Sequence, residues 1–251
     1  MPNEMKRIVI IGATSSIAEH CARLWVEDSP VNMILVGRDM NKMGIIVADL
    51  QVRSPKSKIS FIQADFITPI AIKDTVDKIV SVAPADIVLI AHGALPDQTQ
   101  CQNDLDACAA ALTINGISPV LFAEAFAGHM QNNNLGTLAI IGSVAGERGR
   151  RSNYIYGSAK GLVARYVQGL QHRMVGTNVS VLLINPGPTA TPMTANLKHQ
   201  AGKLANVDEV AKEIVTGVKR KKLIIYAPKK WALIMMIVRH LPRAIFNRMS
   251  I

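Results

Sequence analysis

The stretch GSVAGERGRRSNYIYGSAK, Gly142 to Lys160, follows the apolar run Leu138-Ala-Ile-Ile141. The run reads as a buried strand, and the stretch after it leads into a helix. Tyr156 and Lys160 are four apart on that helix and so share one face. An ammonium on that face would stabilise a phenolate, which is otherwise unfavourable near neutral pH at a reference pKa of about 10. A lowered Tyr156 pKa is therefore expected. Ser143 stands thirteen residues before the tyrosine, at the C-terminal end of the strand. From there its hydroxyl could polarise a carbonyl held beside the phenol.

A second site of chemistry lies at the N-terminus. Lys6 to Ile11 (KRIVII) reads as another buried strand, and Gly12-Ala-Thr-Ser-Ser-Ile-Ala18 as the turn into a helix. Backbone N–H groups at such a helix start bind a pyrophosphate, which points to Gly12, Thr14, Ser15, Ser16 and Ile17. An ordinary strand–helix turn is the plainer reading of this turn alone. With Ser143, Tyr156 and Lys160 downstream, the chain resembles the short-chain dehydrogenase/reductase family over most of its length. The family usually carries GxxxGxG at this turn. Here Gly12 is kept, and Ser16 and Ala18 replace the other two glycines with small residues.

The resemblance implies a single Rossmann-type α/β domain over residues 1–227: a doubly wound, mostly parallel, seven-stranded sheet with helices on both faces. The order of elements agrees. Apolar strands at Met33–Val36, Ile59–Ala64, Asp86–Ile90, Leu138–Ile141, Thr177–Ile184 and Leu223–Tyr226 alternate with helical stretches, as a parallel sheet requires. There is no internal repeat and no second domain in this reading. Leu105 to Met130 reads as a long helix interrupted near Gly116-Ile-Ser-Pro119.

The resemblance also assigns residues. Tyr156 gives or takes the proton, Lys160 lowers its pKa and holds the nicotinamide ribose, and Ser143 polarises the carbonyl. Asn115 matches a helix asparagine that supports the proton relay. Read by itself, an Asn inside an apolar helix must be hydrogen-bonded, which suits a structural or a relay role. The second strand ends in Gly37-Arg38-Asp39, where NAD-binding members carry an acid for the ribose 2′-hydroxyl. Arg38 suits a 2′-phosphate, so NADP(H) is expected; with Arg38 read as a solvated surface residue, NAD(H) stays open. Arg23 and Lys42 are further cations that the sequence does not place. Asp65 is expected to contact the adenine amino group, to cap the helix at Pro69, or both. Ala91 and Gly93 flank His92 in a loop beside the cofactor, His92 facing either the ribose or substrate. Pro186, Gly187, Thr189 and Thr191 match the segment that closes over the nicotinamide. Residues from about 188 to 206 read as a substrate lid.

Two basic features exceed what the fold needs. Arg148, Arg150 and Arg151 lie in the loop between Ser143 and Tyr156. They suit a substrate phosphate, or are simply a solvated loop. Residues 214–251 hold nine of the chain's 28 Lys and Arg and none of its 18 Asp and Glu. The preceding 213 residues are thus nearly neutral, and the +10 net charge is a property of the tail. Residues 228–251 join that charge to an apolar run of eight, Trp231 to Val238. A bilayer span needs about twenty, so an interfacial anchor on an anionic membrane surface is one reading. A helix packed into a homodimer or homotetramer, or around the pocket, is the other. The loop and tail together resemble those of bacterial short-chain reductases acting on a polyprenyl-phosphate-linked keto-sugar. A reductase of a soluble ketone or acyl thioester, and a non-catalytic nucleotide-binding scaffold at a membrane, are the alternatives.

No interleaved stacking aromatics support nucleic-acid binding. Cys21, Cys101 and Cys108 form no metal-ligand pattern, so no metal is expected and the thiols read as reduced in a cytoplasmic protein. The apolar run Ile8–Ile11 is too short for a signal peptide. Cytoplasmic localisation, peripheral on the membrane where the tail anchors, is the expectation.

Overall fold

Seven short apolar runs become strands: β1 Lys6–Ile11, β2 Val31–Gly37, β3 Lys58–Gln63, β4 Ile87–Ile90, β5 Thr137–Ile141, β6 Ser180–Pro186 and β7 Ile224–Ala227. The computed structural model describes residues 5–197 and 204–249. The strands form one sheet in the order β3-β2-β1-β4-β5-β6-β7. Every pairing is parallel, so the sheet is wholly rather than mostly parallel. Such a sheet must be covered on both faces, and β1 shows how. Ile8 and Ile10 enter a core with Trp25, Leu50 and Ile214. Those three belong to helices α1 Ser16–Asp28, α2 Met40–Arg53 and α8 Val207–Lys219. Val9 and Ile11 point the other way, into a core with Ile72, Phe122, Phe126 and Val163. These come from α3 Pro69–Val80, α6 Ser118–Asn133 and α7 Tyr154–Arg173.

The winding reverses at β1, which pairs β2 on one side and β4 on the other. A crevice opens above the carboxyl ends of strands at such a reversal. The turns after β1, β4, β5 and β6 all end there. Between β4 and α6 lie α4 Gln98–Asn103 and α5 Leu105–Leu112. The interruption expected near Gly116 is a π turn, Thr113–Ile117, that carries the helix on into α6 without a break. Residues 105–133 are long and apolar enough to cross a membrane, but Phe122, Ala123, Phe126 and Ala127 are buried against the sheet. The sixth strand starts at Ser180, not Thr177. Thr177 instead closes the turn after α7, its backbone and hydroxyl both donating to the Met174 carbonyl.

The lid expectation is answered only at its two ends, because residues 198–203 lie outside those described. Ala205 donates to the Pro188 carbonyl and accepts from Ala190 N–H, so the two arms are joined at the base. Thr194 Oγ1 donates to the Thr189 carbonyl and accepts from Thr191 N–H.

The tail folds onto the domain. Helix α9, Lys230–His240, packs against β7, with Met235 1% exposed. The Trp231 indole lies directly over Gly187, where a Cβ would come within 1.9 Å of its nitrogen. A short α10, Arg243–Phe246, follows.

Candidate active site

The turn after β1 is tight because Gly12 has φ +83°, a conformation that side chains other than glycine's rarely adopt. Its N–H donates to the Val36 carbonyl at 2.8 Å, tying the turn to β2. A Cβ on Gly12 would lie 2.6 Å from the backbone nitrogen of His92, so glycine also lets the β4 loop pass. Ser15 stands at the N-cap of α1 without a side-chain cap, leaving the first N–H groups of a 13-residue helix facing outward. Gly12, Thr14, Ser15, Ser16, Ile17 and Arg38 line this cleft, with Phe66, His92 and Met193. Ala18 is fully buried at the third motif position, so the small replacement is a packing requirement.

The cleft runs into a cavity that gathers most of the remaining expected residues. Ala91, Gly93, Asn115, Ser143, Arg150, Tyr156, Lys160, Pro186, Gly187, Thr189 and Thr191 all line it. Close backbone contact brings Ser143 to the tyrosine. Ser143 caps a short 3-10 turn, Val144–Gly146, its Oγ accepting from Ala145 N–H at 3.1 Å. That turn rests on the first turns of α7. A Cβ on Gly157 would lie 2.9 Å from the Ala145 carbonyl, and one on Gly146 2.6 Å from the backbone of Lys160. Larger residues at either place would push the serine off the helix.

Lys160 is 3% exposed and donates from Nζ to the Ile141 carbonyl at 3.0 Å. Burial lowers its pKa to about 8. The Tyr156 pKa is raised, not lowered as expected: burial dominates, and a hydrogen bond with Ser143 opposes it. The ammonium lies 5.9 Å from the Tyr156 ring centroid. At that distance it does not offset the desolvation of the phenol. Asn115 sits in the π turn, fully buried, with its side chain committed at both ends. Oδ1 accepts from Ala94 N–H at 2.8 Å and Nδ2 donates to the Ala111 carbonyl at 2.9 Å. It therefore braces the β4 loop beside Lys160. His92 Nε2 pairs with Ser118 Oγ at 2.8 Å, and its ring packs edge-on against Phe66 and Phe122. Burial pushes its pKa down to about 3, so it is neutral. Its Nδ1 is buried with no hydrogen-bond partner among the described residues.

Some expected residues stand elsewhere. Asp65 braces its own turn, accepting from Ile67 N–H and the Thr68 hydroxyl. Its neighbour Phe66 lines the cleft instead. Arg23 is paired with Glu19 and Asp49, and Lys42 with Asp39. Arg148 does not reach the cavity. Its guanidinium donates to the Val238 and Leu241 carbonyls at the end of α9 and lies 3.8 Å from the Phe246 ring centroid. Arg151 is exposed and outside the cavity lining. Of the three arginines only Arg150 lines the cavity; it is half-buried, with Nε lacking a partner among the described residues. Glu147 was not anticipated. Its nearly buried carboxylate joins Asn185 Nδ2 at 3.0 Å to Arg239 Nε at 3.3 Å, across residues that no local pattern connects.

Residues 6–202 match the family model for short chain dehydrogenase. An uncharacterised oxidoreductase in the mprA 5′ region of Streptomyces coelicolor is 27% identical over 247 residues, covering 98% of this chain and 96% of the relative. Among solved structures, a short-chain dehydrogenase from Sphingobium yanoikuyae in complex with NADPH superposes with a TM-score of 0.82 at 22% identity. The match covers 96% of this chain and 98% of that one. The bulky-bulky ketone specific alcohol dehydrogenase from Comamonas testosteroni gives 0.80 at 21% identity, covering 96% and 97%.

The buried lysine carries a pH signature. Its folded pKa, about 8, lies below the unfolded value of about 10.4. Between these values the unfolded chain binds more protons, so stability rises with pH through that window. Below pH 8 the full penalty of a buried charge is present. Replacing Lys160 by Met should therefore raise the urea midpoint at pH 7 and lose most of that advantage by pH 10. A stability difference that stays constant from pH 7 to 10 would show that Lys160 is not desolvated.

Proposed function

The chain belongs to the short chain dehydrogenase family, an oxidoreductase acting on CH–OH groups, and from that premise we propose that it reduces a ketone to a secondary alcohol with NADPH. The observation that carries this is the Ser143–Tyr156–Lys160 cluster at the floor of a cavity continuous with the Gly12 cleft. The cleft fits a nicotinamide dinucleotide. It offers the open N-terminus of α1 to a pyrophosphate, a glycine turn that a Cβ would fill, and the unpaired Nδ1 of His92. When bound, the cofactor supplies the hydride that the carbonyl carbon accepts.

Tyr156 supplies the proton. Its raised pKa keeps the phenol protonated at neutral pH, the form that donates to the oxygen of a carbonyl becoming an alcohol. Ser143 Oγ lies beside it and holds that oxygen. Lys160, charged below pH 8, favours negative charge developing in the cavity, and Asn115 fixes the loop that faces it. This set argues against a non-catalytic scaffold, which has no use for a desolvated ammonium beside a tyrosine.

Arg38 supports NADPH over NADH. Arg23 is paired with Glu19 and Asp49 and Lys42 lies outside the cleft lining, which leaves Arg38 as the cation that lines it. The place of the ribose-binding acid is Gly37, and Met43 Sδ fills the space where a side chain there would begin, 2.7 Å from where its Cβ would stand. For the substrate we favour a keto-sugar linked through phosphate to a polyprenyl chain. Arg150 gives one half-buried guanidinium to a single phosphate, beside the apolar Leu95, Val144 and Met193. A soluble ketone is the competing substrate.

Tyr156→Phe keeps the ring and removes the donor. NADPH-dependent reduction should fall by at least about a hundredfold, the usual size of a general-acid contribution. Cofactor affinity, read by fluorescence titration, should stay near wild type; near-normal turnover would end this assignment. With Arg38→Asp, Kd for NADPH should rise at least about tenfold and Kd for NADH hardly at all, since a carboxylate then faces the 2′-phosphate. Equal shifts for both would make Arg38 an ordinary surface residue. Arg150→Gln should raise KM for a ketone bearing a phosphodiester by about tenfold or more and leave a neutral ketone unaffected. Parallel losses on both would favour the soluble ketone.

A further inference from the structure

Helix α9 has two apolar faces. The inner one rests on the domain through Trp231 and Met235. The outer one is open: Leu233, Met236 and Ile237 are 60%, 49% and 54% exposed, spaced so that they share one side of the helix. Ile245 in α10 and Met249 after it are also exposed apolar residues. Lys229, Lys230, Arg243 and Arg248 accompany it, and no acidic residue occurs after Glu213. An apolar ridge whose own segment carries cations and no carboxylate side chain selects its partner. A second copy of this chain, meeting the ridge about a two-fold axis, would set this cation cluster against itself. A surface of anionic headgroups over acyl chains matches both the charge and the apolar ridge.

We propose that the outer face of α9 and α10 docks on an anionic phospholipid bilayer, lying in the interface rather than crossing it. The inner contacts make this a rigid platform instead of a loose tether. Arg148 holds the α9 C-terminus by its carbonyls, and Arg239 pairs with Glu147. Trp231 covers Gly187, which is itself part of the cavity wall. The inference stands on the tail's own surface and does not depend on the substrate assigned above.

The test is flotation of the full-length protein with vesicles of phosphatidylcholine, alone or with about one third phosphatidylglycerol, at low salt. Binding should be strong with the anionic vesicles, weak with phosphatidylcholine alone, and should weaken on the anionic vesicles as salt is added. Leu233→Asp/Ile237→Asp should reduce the bound fraction about tenfold or more. Its melting temperature and circular dichroism should match wild type, since both side chains point away from the domain. Lys230→Gln/Arg243→Gln/Arg248→Gln should leave weak binding that salt no longer affects. Failure of the wild-type protein to float with anionic vesicles overturns the proposal, and so does undiminished flotation of the aspartate variant. A wild-type dimer that the aspartate variant dissociates, with no vesicle binding by either, would assign the face to a second copy. No cofactor or turnover enters these measurements, so their failure is separate from failure of the proposed reaction.

Discussion

A single buried ammonium constrains this molecule more than any other group. Lys160 has lost nearly all contact with water and keeps one strong acceptor, the Ile141 carbonyl at the end of β5. A charge in that position is tolerated only where the surrounding backbone is fixed. The fixing is visible on each side. The Ser143 turn lies against α7 because Gly146 and Gly157 have no Cβ to hold it off. The β4 loop lies against the lysine because Asn115 draws in the Ala94 N–H. The π turn makes the second contact geometrically available, since it turns a buried amide inward without ending the helix. A widened helical turn, two glycines and a buried amide are thus parts of one arrangement around one charge.

The same loop separates the nucleotide cleft from the cavity. His92 lines both and is held in place by contacts of different kinds: Gly12 beneath it, Ser118 at Nε2, and the rings of Phe66 and Phe122 beside it. Its burial keeps it neutral and therefore removes a positive charge from a region already holding Lys160 and Arg38. A charged imidazole there would repel both, which is the direction each contributes to its lowered pKa.

Much of this was legible in the sequence, for physical reasons that differ from residue to residue. The strands were readable because a parallel sheet covered on both faces needs unbroken apolar runs, as in KRIVII. Tyr156 and Lys160 were readable because helical periodicity is local. The direction of the Tyr156 pKa was not, because it is set by desolvation, which depends on elements far apart in sequence. Asp65 had two readings, an adenine contact and a helix cap, and the fold shows its carboxylate accepting from its own turn. Arg148 misled for the opposite reason: it sits in the pocket loop, yet its partners are some ninety residues away.

That misplacement changes how the two basic features relate. In the sequence the arginine loop and the tail were separate excesses of charge, each looking for an anion. In the fold they are joined. Arg148 of the loop satisfies the otherwise open carbonyls at the end of α9, as a cation at a helix C-terminus does. Arg239 of the tail returns to Glu147 of the loop, and Glu147 also takes a hydrogen bond from Asn185 at the end of β6. One carboxylate therefore links the pocket loop, a central strand and the tail. Its environment is nearly dry, so loss of Arg239, its cation partner, leaves a buried charge poorly compensated. A disturbance of the tail is then not confined to the tail: it reaches the loop that carries Ser143 at one end and Tyr156 at the other. The sequence left open whether the tail packs around the pocket; the hydrogen bonds tie it to the pocket loop, and Trp231 lies behind the cavity-lining Gly187.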